Sequence, residues 1–293
     1  MKQRVLITGS SGMLGIDLCQ ELKSDYDIIG LDISKSSRAG FSLPYITGDI
    51  TNRKSVQVIV AKVRPDIVIH CAAWTDVDGC ELNSKKAYKV NSEGARNIAL
   101  ACKEAGAILV YISTDFVFDG KKRRPFREED KTNPLSVYGD SKLKGEKFIK
   151  KILREHYILR TSWLYGKFGK NFVDTIAAKG KNDGILRVVK DQVGSPTYTK
   201  DLARAIHRLL DKSAPKYGIY HVSNSGSVSW YDYAREILKL ARCKAKVLAI
   251  TSSELSRPAK RPAMSVMDNS KFIKFTGYRM PHWKKALKEY LLN

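Results

Sequence analysis

Residues 4–15 read Arg-Val-Leu-Ile-Thr-Gly-Ser-Ser-Gly-Met-Leu-Gly, a short apolar run closed by three glycines spaced three apart. Residues 4–8 predict a buried strand, and residues 14–22 carry apolar side chains at helical spacing. Glycine between two such elements permits a tight turn, a close backbone approach to a pyrophosphate, and close packing of helix on strand. Exposed N–H groups and the helix dipole then favour phosphate. Gly9-Ser10-Ser11-Gly12-Met13-Leu14-Gly15 is therefore a candidate dinucleotide loop. Its spacing is G-x-x-G-x-x-G rather than G-x-G-x-x-G, and three glycines alone could be an ordinary turn. The strand before and the helix after give them meaning.

The alternation continues outward from this loop. Residues 27–32, 66–71, 107–112 and 157–160 read as apolar strands, with a further strand before Gly48. Helices are expected at 52–63, 83–105 and 135–152. Strands separated by helices of this length pair in parallel through right-handed crossovers, giving an α/β, doubly wound parallel sheet. Beyond Gly166 the rhythm changes, with helices expected at 171–179, 200–210 and 230–240 and strand-like pieces at 185–189 and 218–222. This predicts a nucleotide-binding domain over 1–165 and a smaller, mainly substrate-binding α/β domain over 166–293. The chain is expected to return to the first domain within 190–223.

Asp32 closes the second strand about twenty residues past the glycines, where a carboxylate can accept hydrogen bonds from adenosine ribose hydroxyls and repel a 2′-phosphate. NADH is thereby slightly favoured over NADPH, although Lys35 and Arg38 could accommodate a phosphate. Asp49 and Ile50 follow the third strand, where adenine is expected. Tyr138 and Lys142 lie four apart on one helical face, the only Y-x-x-x-K among 14 tyrosines. A neighbouring ammonium is expected to lower the phenol's pKa toward working pH. Ser113-Thr114-Asp115 follows the strand at 107–112, on the same sheet edge, where a hydroxyl could bond a substrate carbonyl. It could equally cap a strand or helix.

Lys and Arg number 52 against 30 Asp and Glu, a net charge of +22. Such a charge could mean a nucleic-acid partner or simple steering of anionic small molecules; a generally basic, solvated surface is expected, because the densest run, Lys121-Lys122-Arg123-Arg124, has no interleaved aromatics to stack bases. The five cysteines are scattered and never spaced C-x-x-C, which fits a reducing, cytoplasmic compartment and argues against a zinc site. The first residues offer too short an apolar run for a signal peptide, and no membrane span is expected.

With these motifs in place, the sequence resembles the extended short-chain dehydrogenase/reductase family, of Rossmann-type fold, and within it the dTDP-4-dehydrorhamnose reductases. The resemblance runs through TGSSGMLG (8–15), HCAAWTDVDGCE (70–81), VNSEGARNIA (90–99), STDFVFDG (113–120) and YGDSKLKGE (138–146). It continues in LRTSWLYG (159–166), DQVGSPTY (191–198) and RPAKRPAMSVMDNSKF (257–272). It implies Tyr138 as proton donor to a sugar C4 oxygen, tuned by Lys142, with Thr114 and Asp115 at the keto group. It places Ala72 and Ala73 beside the cofactor and gives Asn91 a structural and proton-relay position there. Thr75, Val77, Phe116 and Trp163 would line the sugar site, Trp163 being equally readable as a core aromatic. Asn171, Phe172, Gln192 and Val193 would flank the substrate's nucleotide. Phe116 and Trp74 stand where the family often has Tyr. Asp17 stands where some relatives carry a magnesium-binding Glu at a dimer contact, so no metal is expected, while a homodimer is possible.

The implied reaction is NAD(P)H-dependent reduction of dTDP-4-dehydro-β-L-rhamnose. A nucleotide-sugar epimerase or dehydratase on the same fold is an alternative, although a dehydratase would place Glu where Phe116 stands. A non-catalytic regulatory subunit is another; retention of Tyr138 and Lys142 weighs against it.

Overall fold

The computed structural model describes residues 2–37, 42–182 and 184–292. Six strands lie in residues 4–161, with helices among the described residues between all but the second and third: β1 (Arg4–Thr8), β2 (Asp27–Asp32), β3 (Tyr45–Thr47), β4 (Ile67–His70), β5 (Ile108–Thr114) and β6 (His156–Thr161). The strand Gly218–His221 joins them in a seven-stranded parallel sheet, ordered Gly218–His221, β6, β5, β4, β1, β2, β3. The chain runs from β1 outward through β2 to β3, then crosses back to lay β4 on the other side of β1. That reversal opens a crevice at the carboxyl ends of β1 and β4, where ligands bind in sheets of this kind.

Both faces of the sheet are covered, which is why its strands read as apolar runs. Val5, Ile7, Ile69, Val110 and Leu159 pack on one side with α1 (Met13–Leu22). Leu6, Val68, Leu109, Tyr111 and Ile158 pack on the other with α2 (Arg53–Val63) and α5 (Gly94–Ala105). A third core of Tyr165, Val173, Ile176, Tyr233, Ile237 and Trp283 holds the C-terminal part together.

Two boundaries depart from the sequence expectation. After α3 (Val77–Leu82), the helix expected unbroken over 83–105 is α4 (Ser84–Tyr88), a π-helical turn (Lys89–Glu93), then α5. π-bulges commonly occur where a helix must present a side chain out of phase. Here it turns Asn91 inward to bond the Trp74 amide (2.8 Å), the Trp74 carbonyl (3.0 Å) and the Ser141 hydroxyl (3.1 Å). β5, expected to stop at Ile112, pairs with β6 as far as Thr114 and carries Ser113 and Thr114 into the sheet. Helix α6 (Val137–Ile152) starts at Ser136, whose hydroxyl accepts from the Gly139 amide (3.3 Å). The strand Lys246–Ile250, paired with Ile185–Val189, had no counterpart in the sequence reading.

Candidate active site

Gly9 has φ +69°, and a Cβ there would lie 2.7 Å from the Ala72 amide. A Cβ on Gly15 would strike the Gly9 carbonyl at 2.1 Å. Only glycine allows β1, the loop and the start of α1 to fold this closely, leaving bare backbone facing the crevice. Asp32 stabilises the loop from β2: it accepts from the Ser11 amide (3.0 Å) and the Ser34 amide (3.1 Å). Its remaining lone pairs face a cavity of about 550 Å³ lined by Gly9, Ser11, Gly12, Asp49, Ile50, Ala72 and Ala73. This is the space the sequence assigned to adenosine and pyrophosphate. Lys86 and Lys89, which the sequence reading did not single out, also line it. Lys35 is exposed, and Arg38 lies outside the described residues.

A second cavity, of about 470 Å³, shares Gly9, Gly12, Cys71 and Ala73 with the first. Met13, Leu14 and Gly15 form one side; Thr75, Val77, Thr114, Asp115, Phe116, Tyr138, Lys142 and Trp163 complete it. Each comes from the carboxyl end of a strand or the helix after it: β4 for Thr75, β5 for Thr114, β6 for Trp163, and α6 for Tyr138 and Lys142. A third cavity holds Phe172 and Gln192 and shares Trp230 and Arg261 with the second. The sequence reading did not single out Trp230 or Arg261, although Arg261 stands inside the quoted RPAKRPAMS.

The electrostatics of the second cavity correct one expectation. Burial, not Lys142, dominates the Tyr138 phenol and pushes its pKa well above the usual value, so the phenol stays protonated; its partner is Thr114. The Lys142 ammonium donates to the Ile112 carbonyl (2.7 Å) and lies 4.1 Å above the Tyr111 ring. Its burial lowers its pKa to about 7. A protonated phenol is the form that a reduction needs as acid. Phe116 meets the Tyr138 ring edge-on at 5.8 Å, filling the side of the phenol with hydrocarbon.

Asp115 accepts from the Thr114 hydroxyl (3.1 Å), while its second carboxylate oxygen is buried without a partner. Burial raises its pKa to about 7 from an ordinary 3.8. A carboxyl with a raised folded pKa holds its proton more tightly folded than unfolded, so stability falls as pH climbs through that interval. Asp115→Asn is expected to melt several degrees above the parent at pH 8, with the gap closing toward pH 4, and to turn over more slowly. Melting temperatures across pH test this; a gap that does not vary with pH refutes it.

Three expected site residues lie off the cavity walls: Asn91, Asn171 and Val193, the last taken up in an antiparallel pair with Ser229. Asn91 is spent on Trp74 and Ser141, as described, and braces the loop after β4 without lining the cofactor space. Asn171 caps α7 (Phe172–Asn182) by accepting from the Asp174 amide (3.0 Å), and its amide nitrogen donates to Gly166 (2.9 Å) and Tyr290 (3.2 Å). Buried amides find internal partners, and both asparagines have done so. Asp17 accepts from Thr199 (2.5 Å), and no group of three metal-ligating side chains occurs among the described residues.

A family model described as the RmlD substrate binding domain matches residues 3–293. The chain is 43% identical over 289 residues to the spore coat polysaccharide biosynthesis protein SpsK of Bacillus subtilis (strain 168), covering 98% of this chain and 96% of that one. It is 39% identical to the dTDP-4-dehydrorhamnose reductase of Aggregatibacter actinomycetemcomitans, over 97% of each chain. The crystal structure of dTDP-4-dehydrorhamnose reductase from Bacillus anthracis str. Ames, in complex with NADP, superposes with a TM-score of 0.91. That chain is 42% identical, and the match covers 100% of this chain and 99% of the other.

Proposed function

The chain belongs to the RmlD substrate binding domain family, and from that premise we propose that it reduces the C4 keto group of dTDP-4-dehydro-β-L-rhamnose to dTDP-β-L-rhamnose with NAD(P)H. One observation carries the reading. Thr114, Tyr138 and Lys142 enclose the same cavity as the glycine loop residues Met13, Leu14 and Gly15. A proton donor and a dinucleotide loop therefore address one space.

The bare backbone of Gly9 and Gly15 and the open lone pairs of Asp32 fit a nicotinamide dinucleotide, which supplies the hydride when bound. Asp32 would hold the adenosine ribose and favour NADH. Tyr138 would give its proton to the sugar oxygen, with the Thr114 hydroxyl beside it, and Lys142 would hold the nicotinamide ribose. Asp115, with its free oxygen, would bond a sugar hydroxyl or the keto group. Thr75, Val77, Phe116 and Trp163 would contact the sugar; Phe172 and Gln192 would contact the nucleotide. Residues 1–165 and the returning strand would form the cofactor half and most of 166–293 the substrate half. The scattered cysteines, never spaced C-x-x-C, support a cytoplasmic location for this activity. Within the densest basic run Lys122 and Arg124 both engage Asp130, which supports a structural role for these two side chains over contact with a nucleic acid. No helix among the described residues is long and apolar enough to cross a membrane.

A reductase consumes its cofactor, whereas an epimerase returns the hydride it takes. The purified protein is expected to oxidise one equivalent of reduced nicotinamide for each keto sugar added, with NADH binding more tightly than NADPH. Loss of reduced-nicotinamide absorbance measures the first and fluorescence titration the second. Sugar turnover without net oxidation points to an epimerase. No turnover of any nucleotide sugar points to a regulatory subunit.

A further inference from the structure

We propose that Gly194 and Trp230 are positioning residues that hold the Trp163 indole in the wall of the cavity containing Tyr138. The inference rests on the reading that this cavity takes the keto sugar.

Trp163 stands two residues past β6 with φ +48°, in the left-handed region. A bulky side chain is rarely found there, and such a conformation persists only where the surroundings over-determine it. The indole also lies face to face with Trp230, ring centroids 3.4 Å apart and planes 5° from parallel. Aromatic rings left to themselves prefer offset or edge-on contact. Backbone and ring are thus both held in arrangements that neither would choose alone, and both hold the indole against the cavity.

The constraints come from two short segments. Gly194 touches the Trp163 ring so closely that a Cβ there would lie 2.5 Å from its Cε2 and 2.7 Å from its Nε1. Gly194 pairs antiparallel with Val228, two residues before Trp230, so one strand pair carries both contacts. The Thr197 amide donates to the Trp163 carbonyl (3.2 Å), and the Ser162 hydroxyl donates to the Ser195 carbonyl (2.6 Å). Phe172 braces Trp230 at 4.3 Å. Trp230 borders both the Tyr138 cavity and the adjoining one. Residues 193–197 and 228–230 therefore fix the indole that a sugar would meet, at a distance in sequence from every proton-transferring group.

The test compares Gly194→Ala, Trp230→Ala and Trp230→Phe in the full-length protein, measuring kcat and KM for the keto sugar, Kd for NADH and NADPH, and the near-UV circular dichroism of the indoles. Gly194→Ala and Trp230→Ala are expected to lower kcat/KM about a hundredfold, the scale of an ångström of misplacement. Cofactor Kd should stay within about twofold of the parent, and Trp230→Phe should recover most of the loss by keeping a flat ring behind the indole. The indole band should change in Gly194→Ala and Trp230→Ala. An unchanged band in Gly194→Ala overturns the inference whatever the activity. So does a kcat/KM loss matched by an equal loss of cofactor affinity, which is what general unfolding would give. A parent protein that turned over no keto sugar would sink the functional reading separately, because the indole band is read without substrate.

Discussion

Tyr138→Phe is expected to lower kcat by roughly 10²–10⁴-fold, the range for removal of a general acid, and to leave the binding of reduced cofactor unchanged. The alkoxide formed as hydride reaches C4 must be protonated, and the Tyr138 phenol is the protonated group that the structure brings to this cavity beside Thr114. The substitution deletes one oxygen and keeps the ring that meets Phe116 edge-on, so the cavity retains its shape. The glycine loop and Asp32 lie on other elements and keep their hydrogen bonds. Steady-state decay of reduced-nicotinamide absorbance at saturating keto sugar gives kcat, and fluorescence titration gives cofactor Kd. A Phe variant with near-parental kcat would require another donor, and Asp115, with its pKa near 7, would be the group to examine.

What the sequence disclosed, it disclosed through residues whose role follows from their place on the main chain. Glycines between a strand and a helix mean a close backbone approach wherever they occur, and a carboxylate closing the next strand faces the same crevice. Tyr138 and Lys142 share a face because four residues make about one helical turn. The chain also belongs to the family its motifs resemble, and more than half of the residues lining the cavity around Tyr138 are ones the sequence singled out, while Thr161, Ser162, Leu164, Lys170, Trp230 and Arg261 are not. Less legible are residues whose surroundings are decided by a tertiary partner. Asn91 and Asn171 have the polarity of ligand contacts, yet their partners are Trp74, Ser141, Gly166 and Tyr290. Nothing near Trp230 in sequence says that its ring will stack on one 67 positions earlier. The strand Lys246–Ile250 gains its identity only beside Ile185–Val189, and most of its side chains stay exposed or half-buried, so it carries no clear apolar pattern. The effect of Lys142 on Tyr138 was misjudged because spacing along a helix places two groups on one face without saying which neighbour each will bond.

Glu146→Ala is expected to cost about 3–5 kcal/mol of stability, the scale for breaking a buried ion pair from one side. Glu146 lies one turn beyond Lys142 on α6 and accepts from Arg160 of β6 through Nε (3.0 Å) and Nη2 (2.7 Å), the two side chains being 2% and 3% exposed. The Ser113 hydroxyl of β5 bonds the same carboxylate at 2.5 Å. One carboxylate thus ties α6 to both strands whose carboxyl ends lead to Thr114 and Trp163. Removing it strands a guanidinium that already has one buried nitrogen without a partner, since Nη1 of Arg160 makes no hydrogen bond and the group lies 5.2 Å over the Phe118 ring. An uncompensated buried charge costs more than the pair contributes, so the double substitution Glu146→Leu, Arg160→Met should recover most of the stability lost by the single one. It should recover less of the activity, because an apolar pair cannot hold the Ser113 hydroxyl and leaves the end of β5 less firmly placed beneath Thr114. Denaturant midpoints for the parent, the single and the double variant measure the first effect, and kcat on the same three proteins the second. A single variant as stable as the parent would show that the pair contributes nothing to the fold, and a double variant with full activity would show that the carboxylate has no part in placing Thr114.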